Sequence, residues 1–268
     1  MLRDITIGQY YPADSVVHRL DPRVKLFAVL IYIISIFTFK GIEGFILITL
    51  FVVSCIHISK VPFIYMVRGL KTIAMLLCIT ALFNLFFTRT GNLLWQFGFL
   101  QITDMGLQNA ILMAIRLSYL ILGTSLMTLT TTPNQLTDGL ERSLRPLNRI
   151  HVPVHAIAMM MSIALRFIPI LTEETDKIMK AQMARGADFE NGNIIRRAKN
   201  MVPLLVPLFV SAFRRADDLA MAMEARCYHG GEGRTKMKPL KYQRRDYVAY
   251  AVILGYLGLV VLARFLFP

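Results

Sequence analysis

Five apolar runs decide what this chain can become: about Val24–Phe39, Gly44–Ile58, Thr72–Phe87, Met105–Thr130 and Tyr247–Phe267. A helix that crosses a bilayer needs roughly 20 apolar residues, within about 17–25. The first two runs are short for that. Their flanks contribute, or they form a tight hairpin turning at Lys40-Gly41-Ile42-Glu43-Gly44. The predicted class is all-α, a polytopic membrane protein with about five transmembrane helices. Composition agrees, with 55% hydrophobic and only 18% charged residues, against about 25% charged in soluble domains. Residues 1–23 are polar and hold Pro12 and Pro22, so no cleavable signal peptide is expected.

Basic residues orient the spans. With the N-terminus inside, the inner segments hold Arg3, Arg19, Arg23 and Lys25, then Lys60, Arg68 and Lys71. The outer loops hold only Lys40 and Arg89, with Trp95 at an interface. Cytoplasmic loops collect Lys and Arg, so the N-terminus is predicted cytoplasmic. The net charge of +13 follows the same asymmetry.

Three regions result: transmembrane helices over 1–130, a coupling segment over 131–245, and a last span over 246–268. The middle segment holds 19 Lys and Arg against 11 Asp and Glu. Its apolar runs, Val152–Leu165 and Met201–Phe213, are bounded or interrupted by Pro153, Pro169, Pro203 and Pro207. They read as long amphipathic cytoplasmic helices starting against the membrane. Read as spans instead, they raise the total to seven. The expected helices cover 133–147, 153–186 and 201–227. Thr132-Pro133 opens the first, and Gly192, Gly231 and Gly233 act as breakers.

The segment contains a repeat. At an offset of 41, Asp176 meets Asp217, Ile178 meets Leu219, Ala181 meets Ala222, Ala184 meets Ala225 and Arg185 meets Arg226. Ile178, Ala181 and Arg185 share one helix face, as do Leu219, Ala222 and Arg226. The alanines suggest a face on which two helices cross closely. Each copy ends in Ala-Arg-small: Ala184-Arg185-Gly186 and Ala225-Arg226-Cys227. A single arginine there merely complements its own helix dipole. Two in matched register suit two equivalent partners, each met by a guanidinium fork.

These residues carry a resemblance. Leu20-Asp21-Pro22-Arg23-Val24-Lys25, Thr130-Thr131-Thr132-Pro133, Leu140-Glu141, Ala164-Leu165-Arg166-Phe167-Ile168-Pro169 and the two arginine motifs span nearly the whole chain. The chain resembles the transmembrane (T) component of energy-coupling factor transporters, ABC-type importers of vitamins and some metal ions. The resemblance implies two cytoplasmic ATPase subunits, which hold ATP and magnesium, and a small membrane substrate-binding S component. It implies that the motif arginines, here Arg185 and Arg226, dock into the ATPases from two crossing coupling helices. Cys227 departs from the family's glycine but is still small. The implied location is the bacterial plasma membrane.

Arg116, mid-span, needs partners, and Tyr119 and Asn109 lie within reach. Its role is a structural hydrogen bond or an S-component contact. His151 and His155 are four apart, but no third ligand is near, so no metal is expected. Cys55 and Cys78 read as apolar fillers. The sequence holds no Gly-x-x-x-x-Gly-Lys-Ser/Thr loop, so no cofactor is expected on this chain. A stand-alone carrier or channel and a membrane enzyme remain as alternatives. Basic clusters at Arg196-Arg197-Lys199 and Lys236–Arg245 point to anionic lipid rather than nucleic acid, at about 1 kcal/mol per basic residue.

Overall fold

A computed structural model describes residues 10–39, 43–88, 90, 92–97, 100–187, 189, 194–230, 237 and 239–266. Arg3, the turn at 40–42, Arg89, Gly192, Gly231, Gly233, Lys236 and Lys238 lie outside these, as do the side chains of Trp95, Arg196 and Arg197. The described helices are α1 (Pro22–Thr38), α2 (Glu43–Ser59), α3 (Phe63–Phe87), α4 (Asp104–Thr130), α5 (Pro133–Leu144), α6 (Val154–Ala184), α7 (Ile194–Ala225) and α8 (Arg244–Leu266). One antiparallel hairpin, β1 (Leu93–Phe97) with β2 (Leu100–Thr103), precedes α4. The all-α polytopic class stands.

By length and composition, α4, α6 and α8 are able to cross a membrane. The two arms of α3, bent by 57°, make a fourth if taken as one span. Helices α1 and α2 have 17 residues each, about 26 Å at 1.5 Å per residue, short of a hydrocarbon core of about 30 Å. The sequence sends both long coupling helices along the membrane and into the cytoplasm. The structure distinguishes them, since α6 is apolar and long enough to span while α7 is not. The uncharged stretch of α7 between Lys199 and Arg214 is only 14 residues long.

Contacts divide the chain into two units, one of residues 8–140 with 240–268 and the other containing 141–239. In the first, α1 starts where its sequence dictates. Asp21 caps it by accepting from Arg23 N, and Pro22 takes the first position, where no donor is needed. Its apolar face supplies Val24, Ile31 and Ile36, all buried, to a core shared with Ile48 and Val52 of α2 and Ile253 and Val260 of α8. Tyr32 is buried and donates to Tyr119 O at 2.7 Å. Its ring lies so close to Gly123 that a Cβ there would sit 2.1 Å from it. Glycine at 123 is therefore a contact requirement between α1 and α4.

In the second unit, α6 and α7 run through their prolines: Pro169 lies inside α6, and Pro203 and Pro207 lie inside α7. Helix α7 begins at Ile194 rather than near 201. The Arg-Arg-Ala-Lys stretch ahead of Met201 consists of strong helix formers, which extends the helix backward. The expected 133–147 helix stops at Leu144 and continues as a 3₁₀ turn, Arg145–Ile150.

Candidate docking site

The two arginine motifs terminate α6 and α7 with one backbone pattern. A helix end leaves four carbonyls without partners. At the first motif Gly186 N donates to Met183 O at 3.0 Å and Ala187 N donates to Gln182 O at 3.0 Å. At the second, Cys227 N donates to Glu224 O at 2.8 Å and Tyr228 N donates to Met223 O at 3.0 Å. Each bond has its counterpart 41 residues on. Both ends are Schellman motifs, which require a left-handed residue after the cap. Gly186 has φ 87° and Cys227 has φ 54°. The third motif position is thus set by backbone handedness, not by smallness alone. Glycine meets it freely, whereas an L-residue gives up about 1–2 kcal/mol.

The stop fixes where the arginine goes. Arg185 is the cap residue of α6, with φ −88° and ψ 7°. Arg185 and Arg226 are exposed, as are Ala184 and Ala225. Neither guanidinium has a hydrogen-bond or ion-pair partner among the described residues.

Helices α6 and α7 contact each other at places the repeat explains. Glu174 accepts from Ser211 Oγ and, at 2.9 Å, from Arg215 Nη2. Gln182 Nε2 donates to Pro203 O at 3.4 Å. Moving eight residues forward on α6 moves the contact eight back on α7, so the helices are antiparallel. Glu174 and Arg215 are themselves 41 apart and occupy the same repeat position with opposite charge. A sequence repeat that is parallel along the chain becomes a pseudo-two-fold crossing in space. Each motif arginine lies 11 residues beyond its member of the crossing pair, roughly 16 Å at 1.5 Å per residue. They lie on opposite sides of the crossing, at most about 33 Å apart along the axes.

Ile178 and Leu219 are half-buried, while Ala181 and Ala222 are exposed. The polar contacts between the helices run through Glu174, Ser211, Arg215, Gln182 and Pro203. Glu174, Ile178, Ala181 and Arg185 do share a face, spaced 4, 3 and 4. The signal for Glu174 and Arg215 was in the repeat, since the 41-residue offset continued four positions upstream of Ile178 pairs opposite charges.

Arg116 meets neither expected partner. Its Nη2 donates to Phe39 O at 2.8 Å, capping the end of α1, and its guanidinium lies 5.6 Å from the Phe37 ring centroid. Tyr119 instead bonds Thr49 Oγ1 through its hydroxyl at 2.6 Å, and Asn109 is exposed. His151 and His155 do not share a helix face either. His151 is a left-handed residue (φ 61°) before α6, and His155 Nδ1 lies 2.9 Å from Glu141 Oε1. Among the described residues no group of three metal-ligating side chains forms.

The Asp-Pro-Arg-Val-Lys stretch has its own chemistry. Lys25 is buried, and its Nζ donates to His18 O (3.3 Å), Thr130 O (2.8 Å) and Thr131 Oγ1 (3.2 Å), capping the end of α4. Asp21 holds Arg23 through both carboxylate oxygens, at 3.0 and 2.9 Å. Arg23 in turn lies 3.9 Å over the Tyr242 ring. Buried Asp246 accepts from Asp21 N at 2.9 Å and Gln243 N at 2.7 Å. The first turns of α1 and α8 and the last turn of α4 are thereby tied into one polar knot. The sequence marked Asp21, Arg23 and Lys25 without assigning this role, because the partners that join the helices, Asp246, Tyr242 and Thr130, lie more than 100 residues away.

Residues 13–237 match the family model described as Cobalt transport protein (CbiQ). Several proteins named energy-coupling factor transporter transmembrane protein EcfT are similar over the full length. That of Clostridium kluyveri is 56% identical over 265 residues, covering 98% of each chain. That of Ruminiclostridium cellulolyticum is 51% identical over 267 residues, covering 100% of each. The Bacillus subtilis protein is 48% identical over 267 residues, covering 100% of this chain and 98% of the relative.

Proposed function

Given that this chain belongs to the family of energy-coupling factor transporter transmembrane proteins, we propose that it is the non-catalytic scaffold of an importer driven by two cytoplasmic ATPases. It is a multi-pass membrane subunit of a transport complex. In the proposed arrangement Arg185 and Arg226 each enter a groove on one ATPase subunit, and those subunits hold ATP and magnesium. The observation that carries this reading is the matched pair of helix ends. Two exposed guanidiniums in one Schellman geometry, 11 residues either side of a pseudo-two-fold crossing, suit two similar partners placed side by side. Closing or separating the ATPases would then drive α6 and α7 about the Glu174–Arg215 contact.

The third partner is a small membrane S component that binds the substrate, of the vitamin class. Exposed apolar residues on both helices, among them Met160, Met161, Leu205, Phe209 and Phe213, exceed what a soluble surface leaves open and support an apolar partner there. Flexible methionines suit a surface that repacks against several such partners. The basic-residue asymmetry supports a plasma-membrane orientation with the N-terminus and the arginine motifs in the cytoplasm.

Affinity purification of the chain from its native membrane tests the reading. Recovery of two nucleotide-binding subunits and a small hydrophobic protein is expected. Recovery of the chain alone, with transport activity retained, would favour a stand-alone carrier.

A further inference from the structure

The first unit forms a half-open cavity of about 310 Å³ between α1, α2, α4, α8 and the segment ahead of α1. Val24 and Ala28 of α1, Phe51 of α2, Leu126 of α4 and Val252 of α8 line it, along with two cationic side chains, Lys25 and Arg245. The lining hydrocarbon gives water few partners, and an ordered water needs 2–4 of them. The volume is at the lower end of the range for small-molecule sites, about 300–1,000 Å³. A partner helix, roughly 10 Å across, has no room there.

The two cations differ in what remains of their hydrogen-bonding capacity. The Lys25 ammonium is committed to His18 O, Thr130 O and Thr131 Oγ1. Arg245 has no hydrogen-bond or ion-pair partner among the described residues, and its Nε is buried. The nearest carboxylate in sequence, Asp246, is occupied by Asp21 N and Gln243 N. A cationic guanidinium that lacks an acceptor at an apolar lining is costly, and an anionic oxygen satisfies it best.

We propose that this cavity holds one acyl chain of an anionic amphiphile, with its acidic head group on Arg245. Position agrees with the chemistry. Lys25 lies near the start of α1, Arg245 near the start of α8, and Leu126 near the end of α4. On the orientation proposed above, all three ends face the cytoplasm. The head group then lies at the level of the inner leaflet, with the chain running from it toward the buried Tyr32. A phosphatidylglycerol chain and a free fatty acid share this chemistry. The site belongs to the unit without the arginine motifs and does not depend on ATPase docking.

The test uses the purified complex in phosphatidylcholine vesicles containing one probe at a time. The probes are phosphatidylglycerol with a diazirine in its chain, phosphatidylcholine with the same chain, and the free diazirine fatty acid. After illumination, adducts are located by peptide mass spectrometry. Adducts on the lining residues of α1, α4 and α8 are expected with an anionic probe and several-fold fewer with phosphatidylcholine. Arg245→Gln should lower the anionic adducts about fivefold, the value of one lost basic contact. Adducts on exposed Phe37 and Leu50 should not change. Ala28→Phe fills the cavity and should abolish the lining adducts. If that variant does not fold, Arg245→Gln still decides. Labelling by the fatty acid but not by phosphatidylglycerol supports the site and assigns its source. Lining adducts equal for neutral and anionic probes and insensitive to Arg245→Gln, or adducts confined to residues such as Phe37 and Leu50, overturn it.

Discussion

Gly186 and Cys227 occupy the same place in two copies of one helix stop, so reciprocal substitutions should act with opposite signs. A Cβ built on Gly186 meets nothing within 4 Å. Gly186→Ala therefore adds no clash, only the left-handed conformation at φ 87°, worth about 1–2 kcal/mol. Cys227 already carries that cost at φ 54°. Cys227→Gly should recover part of it, about 0.5–1 kcal/mol after the greater chain entropy of glycine is subtracted. The affected bonds are local: Gly186 N to Met183 O, Ala187 N to Gln182 O, Cys227 N to Glu224 O and Tyr228 N to Met223 O. Amide hydrogen exchange reads them directly. A loss of 1–2 kcal/mol corresponds to roughly 5–30-fold faster exchange of the Gly186 and Ala187 amides. Slower exchange at Tyr228 is expected in Cys227→Gly. If Gly186→Ala leaves those amides within twofold of the parent, or both substitutions shift exchange in the same direction, the reasoning from handedness fails.

Lys25→Met should destabilise the chain by about 2–3 kcal/mol, because Thr130 O and His18 O lose their donor in a buried place; thermal unfolding in detergent measures this. The Glu174–Arg215 pair is partly exposed, at 22% and 39% of the side chains, so a double-mutant cycle should give a coupling of only about 0.5–1 kcal/mol. The combined Glu174→Arg and Arg215→Glu exchange should recover most of it. Burial pushes the His18 imidazole below its usual pKa, and the ring sits between Ser15 Oγ and Tyr11 O. The fold therefore favours neutral His18. Its contribution is fully present above about pH 6.5 and is lost as pH falls through the lowered native value. A pH series of unfolding midpoints should show that decline, and His18→Gln should flatten it.

Much of this could be read along the chain because it is local. Apolar runs announce spans, Thr132-Pro133 announces a helix start, and a fixed offset of 41 announces matched helix ends. Thr132 and Gln135 even cap each other, with Thr132 N donating to Gln135 Oε1 at 3.2 Å and Gln135 N to Thr132 Oγ1 at 3.3 Å. What escaped was decided by tertiary partners or by handedness. Helical spacing pairs Arg116 with its helix neighbours, yet it caps the end of α1 at Phe39, 77 positions away. The logic of small residues places the crossing on Ala181 and Ala222. The ion pair between the helices lies one turn earlier than Ile178, and charge complementarity across a pseudo-two-fold is invisible until the helices are known to run antiparallel. Cys227 looked like a tolerated small residue. Its φ shows that the position selects for left-handed backbone, which side-chain size only partly predicts. The hairpin of β1 and β2 was missed because nine short residues in a loop between spans carry little periodic signal.

The most direct measurement concerns the two guanidiniums. The complex is purified from cells carrying Arg185→Ala together with Arg226→Ala, and ATPase retention and substrate uptake are measured. Removing one partner of a buried docking pair costs roughly 2–5 kcal/mol of binding. The double variant should therefore lose the ATPases and uptake, while remaining folded in the membrane with its S component. Wild-type ATPase retention together with wild-type uptake in the double variant would contradict the claim that Arg185 and Arg226 are the coupling contacts.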